Sequence, residues 1–134
     1  ALNPLELYLT MGVNFVASGF SSKPRDLANL INEGMKYPGF AVIQVQSPCV
    51  TYNDNTDLLK GNARKGIAPS VWDIPEDHDR TDLRAAYDML HQNGLPLGIL
   101  YQREDSVSLD QRVATLAQKS PGRPIEQQLA AFDI

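Results

Sequence analysis

The chain reads as an α/β protein with parallel strands, and three features of its 134 residues say so. β-prone runs occur at 14–18, 40–46 and 97–101, two strongly patterned helices lie between them at 24–36 and 81–92, and most connections are short. A strand followed by a crossover helix and another strand places the two strands parallel. Three strands make a thin sheet. One edge is then open, which points to missing strands or to a partner.

Each element has its own signature. In "NPLELYLTMG" the apolar residues Leu5, Tyr8 and Leu9 share a helical face, with Pro4 in the first turn and Gly12 as the stop. "NFVAS" is a short strand. "SSKPRDLANLINEGMKYPG" is a helix capped at Ser22 or Lys23, with Leu27, Leu30 and Ile31 as its inward stripe and Pro38-Gly39 ending it. "FAVIQV" begins as a continuous apolar run, the pattern of a largely buried strand. Residues 51–75 are rich in Asn, Asp, Gly and Pro and read as a loop with one helical turn near Leu58. So long a loop usually covers or binds something. "DRTDLRAAYDMLHQNG" is the second clear helix, with Leu83, Ala86, Tyr87 and Leu90 inward and Asn93-Gly94 as its stop. "LPLGILYQ" is the last strand. The remainder is a polar, moderately helical tail broken at Pro121-Gly122 and Pro124, which reads as a segment lying on another surface.

Composition excludes several classes of function. Apolar residues make up 43% and charged residues 21%, as in ordinary globular domains. The net charge of −4 and the lack of any long basic run argue against nucleic acid and anionic membrane as partners. No apolar stretch approaches a membrane span of about 20 residues. The start has no basic n-region, so it does not read as a signal peptide. It also lacks an initiator methionine, as in a chain that is processed, truncated or cut from a longer one. One cysteine makes no internal disulfide, which fits a reducing, cytoplasmic location.

That cysteine, Cys49, lies in "QVQSPCVTYND", four residues past Val45. In open α/β sheets the binding groups gather beyond the carboxyl ends of strands, so a metal-ligand role is open. Free cysteines more often pack as small buried hydrophobes. A nucleophile role has less support, because His78 and His91 have no recognisable triad context. Three other stretches invite functional readings. "DIPEDHDRTD" (73–82) gathers carboxylates with His78, but its position at a helix start favours capping over metal binding. "KGNARKG" (60–66) has the glycines and cations of a phosphate cradle without the Walker spacing, and reads as a solvated loop. Trp72 is either an anchor for another subunit or a residue folded back on the core.

As a string, "FAVIQVQSPCVTYN" closely resembles a segment of the β subunits of 2-oxoacid:ferredoxin oxidoreductases, where a hydrophobic strand leads into S-P-C-V-T-(F/Y)-N. "LNPLELYLTMGVNFVASGF", "EDHDRTDLRAA" and "LPLGILYQRE" are similar to further segments of that family in the same order, so the resemblance spans residues 2–104. It implies the C-terminal half of a parallel-sheet, three-layer, Rossmann-like thiamine-diphosphate-binding domain at 1–105, followed by a tail at 106–134. It implies oxidative decarboxylation of a 2-oxoacid to an acyl-coenzyme A, with electrons passed through a [4Fe–4S] cluster to ferredoxin. Cys49 is then the implied fourth cluster ligand, with the N–H groups of Val50 and Thr51 toward the cluster sulfides. The S-P-C-V-T-Y-N form is closer to the 2-oxoglutarate or broad-specificity branch than to the pyruvate branch. Implied partners are the N-terminal half of the β subunit and an α subunit. The cofactors are the cluster and thiamine diphosphate with Mg, the latter bound by motifs outside this chain: it contains no Gly-Asp-Gly, no Asn-Asn and no second cysteine. By itself the chain is therefore expected to be inactive and without a cluster. The tail after Glu104 departs from the family's short ending. The competing reading is a non-catalytic interaction module of the same fold, with Cys49 a buried structural thiol.

Overall fold

A computed structural model describes residues 2–119 together with 122, 127, 129 and 130. The order is α1 (Pro4–Thr10), β1 (Phe15–Phe20), α2 (Pro24–Lys36), β2 (Ala41–Gln46), α3 (Thr56–Lys60), a 3-10 turn (Ala63–Lys65), β3 (Val71–Asp73), α4 (Leu83–Leu90), β4 (Leu95–Gln102) and α5 (Leu109–Lys119). The breaks expected at Pro121 and Pro124 lie outside the described residues.

Four strands form one mixed sheet in the order β2-β1-β4-β3. β1 and β2 run parallel, joined through α2, and β3 and β4 run parallel, joined through α4. The sheet is thus two βαβ units side by side. Where the units meet, β4 runs antiparallel to β1, which corrects the expectation of an all-parallel sheet. Each crossover helix enforces parallel pairing only within its own unit. The segment between β2 and β3 is long enough to let the second unit approach from the other direction. A bulge between Val16 and Ala17 interrupts the central ladder, and Leu100 has no opposite number there.

Side-chain alternation then divides the core between two faces. Val16 and Leu100 point to the layer of α1 and α4, where they join Leu5, Leu9, Val13 and Ala86. Phe15, Ala17 and Ile99 point to the layer of α2, against Leu30 and Tyr37. The expected three layers are present. Phe15 and Tyr37 stack at 5.3 Å between ring centroids, and the Tyr37 hydroxyl donates to the Arg103 carbonyl at 2.8 Å. Phe20, Leu59 and Leu97 form a smaller cluster under the 51–70 segment, which explains how a run so rich in turn residues stays ordered.

The helix ends follow the sequence signals. Asn3 caps α1 by accepting from the Leu5 N–H, and Asp82 caps α4 by accepting from the Arg84 N–H. Two inward assignments do not hold: Ile31 is 42% exposed and Leu83 is 41% exposed. Leu83 is the first residue of α4, at the end of the helix rather than over its middle. At the entry to β4, Gly94 has φ +92° and runs so close to the Ser70 carbonyl that a Cβ would collide with it.

Candidate functional site

Cys49 stands at the carboxyl end of β2, on a turn closed by the Asn53 N–H donating to the Cys49 carbonyl at 2.9 Å. It is exposed, so the reading of a buried structural thiol does not hold. The backbone N–H groups of Tyr52 and Thr51, and less strongly Asn53, act on its sulfur and lower the thiol pKa below its ordinary value. Slight desolvation and the Asp54 carboxylate act the other way. These donors are the amides of the 49–53 turn itself. They belong to a turn whose geometry a residue string does not contain.

The chemistry of this donor set suits one ligand of an iron–sulfur cluster. Clusters take cysteine thiolates, and hydrogen bonds to sulfur tune them. Amide donors stabilise the thiolate before any metal is present. Among the described residues no three His, Cys, Asp or Glu side chains converge as a metal site. The turn is flanked by open apolar side chains, with Val50 78% and Tyr52 92% exposed.

The remaining sequence candidates resolve into structure. His78 Nε2 bonds the Leu100 carbonyl at 2.8 Å, Asp79 accepts from both the amide and the hydroxyl of Thr81, and Asp82 caps α4. The acidic run is a helix entrance. In "KGNARKG" the Asn62 side chain accepts from the Arg64 and Lys65 N–H groups, while Asn62 and Ile67 exchange backbone bonds at 2.8 and 3.0 Å. Those amides are already engaged, so they form no phosphate cradle. Lys65 pairs with Asp57 at 2.5 Å. Trp72 folds back, its Nε1–H donating to the Asn93 carbonyl at 3.1 Å.

Among the described residues are concavities that sequence reasoning missed, two of them beside the sheet. A groove of about 670 Å³ lined by Met11, Val13, Tyr37, Phe40, Val107 and Arg112 sits at the opposite end of β1 and β2 from Cys49. A cleft of about 280 Å³ beside Ser18, Leu27 and Leu97 is bordered by the Lys23–Asp73 ion pair, 2.6 Å long. Both arise from long-range packing and leave no local signal in the chain.

Comparison with known proteins agrees with this geometry. The family model for the C-terminal region of the pyruvate ferredoxin oxidoreductase β subunit matches residues 49–118, beginning at Cys49 itself. The β subunit of the 2-oxoacid:ferredoxin oxidoreductase from Saccharolobus solfataricus is 31% identical over 120 residues, covering 84% of this chain and 39% of that subunit. Its counterpart from Sulfolobus sp is 34% identical over 120 residues, with the same coverage of 84% and 39%. This chain thus spans about two fifths of the length of the curated relatives it matches. A solved 2-oxoglutarate:ferredoxin oxidoreductase from Magnetococcus marinus, with 2-oxoglutarate, coenzyme A and succinyl-CoA bound, superposes with a TM-score of 0.78 at 34% identity. That match covers 99% of this chain and 45% of the other. The chain belongs to the 2-oxoacid:ferredoxin oxidoreductase β-subunit family, in the region described as its C terminus.

Proposed function

We propose that this chain is the C-terminal part of the β subunit of a 2-oxoacid:ferredoxin oxidoreductase, with Cys49 as one of four thiolate ligands to a [4Fe–4S] cluster. A cluster of that kind supplies one-electron transfer between a reduced intermediate and ferredoxin. The observation that carries the reading is the exposed Cys49 thiol, set at a strand end and held toward thiolate by the amides of Tyr52 and Thr51. Thiamine diphosphate and Mg belong to the same reading, but the residues here do not hold them, since Gly-Asp-Gly and Asn-Asn are missing from the sequence. No step is assigned to them on this chain.

The substrate is read as 2-oxoglutarate with coenzyme A as acceptor, by likeness to the solved neighbour and its bound ligands. Residues 1–105 form the domain part, and 106–134 are a tail that docks on the N-terminal half of the β subunit or on an α subunit. The location is read as cytoplasmic. No helix among the described residues is long and apolar enough to cross a membrane.

The test is an assay of the complete assembly containing this chain, with 2-oxoglutarate, coenzyme A and ferredoxin. Coenzyme A-dependent ferredoxin reduction is expected from the assembly, and neither activity nor bound iron from the 134-residue chain. Activity of the lone chain, or an assembly inert toward every 2-oxoacid, overturns the reading.

A further inference from the structure

The turn that presents Cys49 also carries a fixed negative charge. Two backbone bonds fold residues 49–55 back on themselves. The Asn53 N–H donates to the Cys49 carbonyl at 2.9 Å, and the Asn55 N–H donates to the Asn53 carbonyl at 3.1 Å. Cys49 and Asn53 thus stand opposite each other as an isolated antiparallel bridge. Asp54 is the next residue along, which puts its Cα within about 9 Å of the Cys49 Cα. Its side chain is tethered there: Oδ1 accepts from the Thr56 N–H at 3.1 Å, at the start of α3. The Thr56 hydroxyl and amide hold the Asp54 carboxyl below the usual carboxylate range, so it is ionised at neutral pH. Lys65, whose field reaches Asp54, is itself bound to Asp57 at 2.5 Å. Among the described residues no cation forms an ion pair with Asp54.

We infer that Asp54 sets the reduction potential of the cluster ligated by Cys49, its charge making that cluster harder to reduce and, once reduced, a stronger donor to ferredoxin. The role given to Asp54 rests on the reading of Cys49 as a cluster ligand. Reduction adds one electron to a centre that its four thiolates already make anionic. Net charge, hydrogen bonds to the sulfurs and exposure then set the potential. A nearby carboxylate opposes the added electron, whereas amide donors at the sulfur favour it. Both influences meet at this turn: the amides of Tyr52 and Thr51 act on the sulfur in one sense and the Asp54 carboxylate in the other. One electron enters from 2-oxoacid oxidation and one leaves to ferredoxin, so the step needs no further reactant.

A redox titration of the complete complex, followed by electron paramagnetic resonance of the cluster, tests this. Asp54→Asn removes the charge but keeps an Oδ1 to accept from Thr56, so the turn is preserved. At a fixed potential its ratio of reduced to oxidised cluster is expected to rise about threefold to tenfold over wild type, tenfold being about 59 mV for one electron. The difference is expected to shrink as salt is added, because Asp54 is exposed. Asp54→Glu keeps the charge and is expected to titrate close to wild type. A Glu variant shifted as far as the Asn variant shows that the turn acts rather than the charge, and overturns the inference. An unchanged potential in Asp54→Asn also overturns it, and leaves the cluster reading standing where Cys49→Ser still alters the signal. A cluster signal indifferent to Cys49→Ser removes the ligand reading and the role of Asp54 together.

Discussion

The two edges of the sheet are built on opposite plans. β3 is three residues long, ends in a charged residue and is followed within two positions by Pro75. Lys23, from the entrance to α2, reaches across to hold Asp73 with both carboxylate oxygens, at 2.6 and 2.7 Å. β2 is twice as long, uncharged and regular, and it leads straight into the Cys49 turn. Short length, charge and proline are the features that stop a sheet from growing. This sheet therefore closes itself at β3 and stays open at β2, where its only thiol is presented.

Changes to the shared centre should damage both halves equally and most severely. Phe15 is fully buried and stacks on Tyr37, so Phe15→Ala should cost about 4 kcal/mol in urea unfolding. A loss under about 1 kcal/mol would mean that the strands beside it are not tightly packed. Next comes a change confined to the β3–β4 unit. Asp82→Ala removes the α4 cap and should cost about 1 kcal/mol, with β2 exchange unaltered. Weaker again is Asp73→Asn, which removes an ion pair at a largely exposed carboxylate. Its cost should be about 0.5 kcal/mol and should shrink as salt is added. A salt-independent loss contradicts the assignment of that edge to charge.

The gentlest probe is chemical. Amide donors lower the Cys49 pKa, so more thiolate is present at neutral pH than in a free cysteine. Alkylation of the chain by iodoacetamide should accordingly show a pH midpoint below that of free cysteine. Asp54→Asn removes a charge that opposes the thiolate and should move the midpoint slightly lower still. A midpoint at or above the free value contradicts the role given to the Tyr52 and Thr51 amides.

Much of the architecture was legible because it is written in local periodicity. Leu27 and Leu30, and Ala86 with Tyr87 and Leu90, mark their helices, while Pro24, Gly12 and Asp82 mark helix ends. β3 was missed because "VWD" is too short to show a period and sits among turn residues, held only by pairing with Leu95–Leu97. The antiparallel contact of β1 and β4 was missed for a related reason: crossover helices speak to orientation within a unit, not between units. At the site, Cys49 drew notice from its place after a strand, and its assignment as a ligand came from the string S-P-C-V-T-Y-N. The amides that act on its sulfur depend on how residues 49–53 turn, which no pattern in the residues announced.

The most direct measurement is low-temperature electron paramagnetic resonance of the reduced assembly, with Cys49→Ser beside the wild type and 2-oxoacid decarboxylation assayed on the same samples. Serine offers a harder oxygen donor in place of the thiolate. The account predicts a lost or strongly altered [4Fe–4S] signal and a steep fall in ferredoxin reduction, with decarboxylation partly retained. An unchanged signal with full ferredoxin reduction would contradict it.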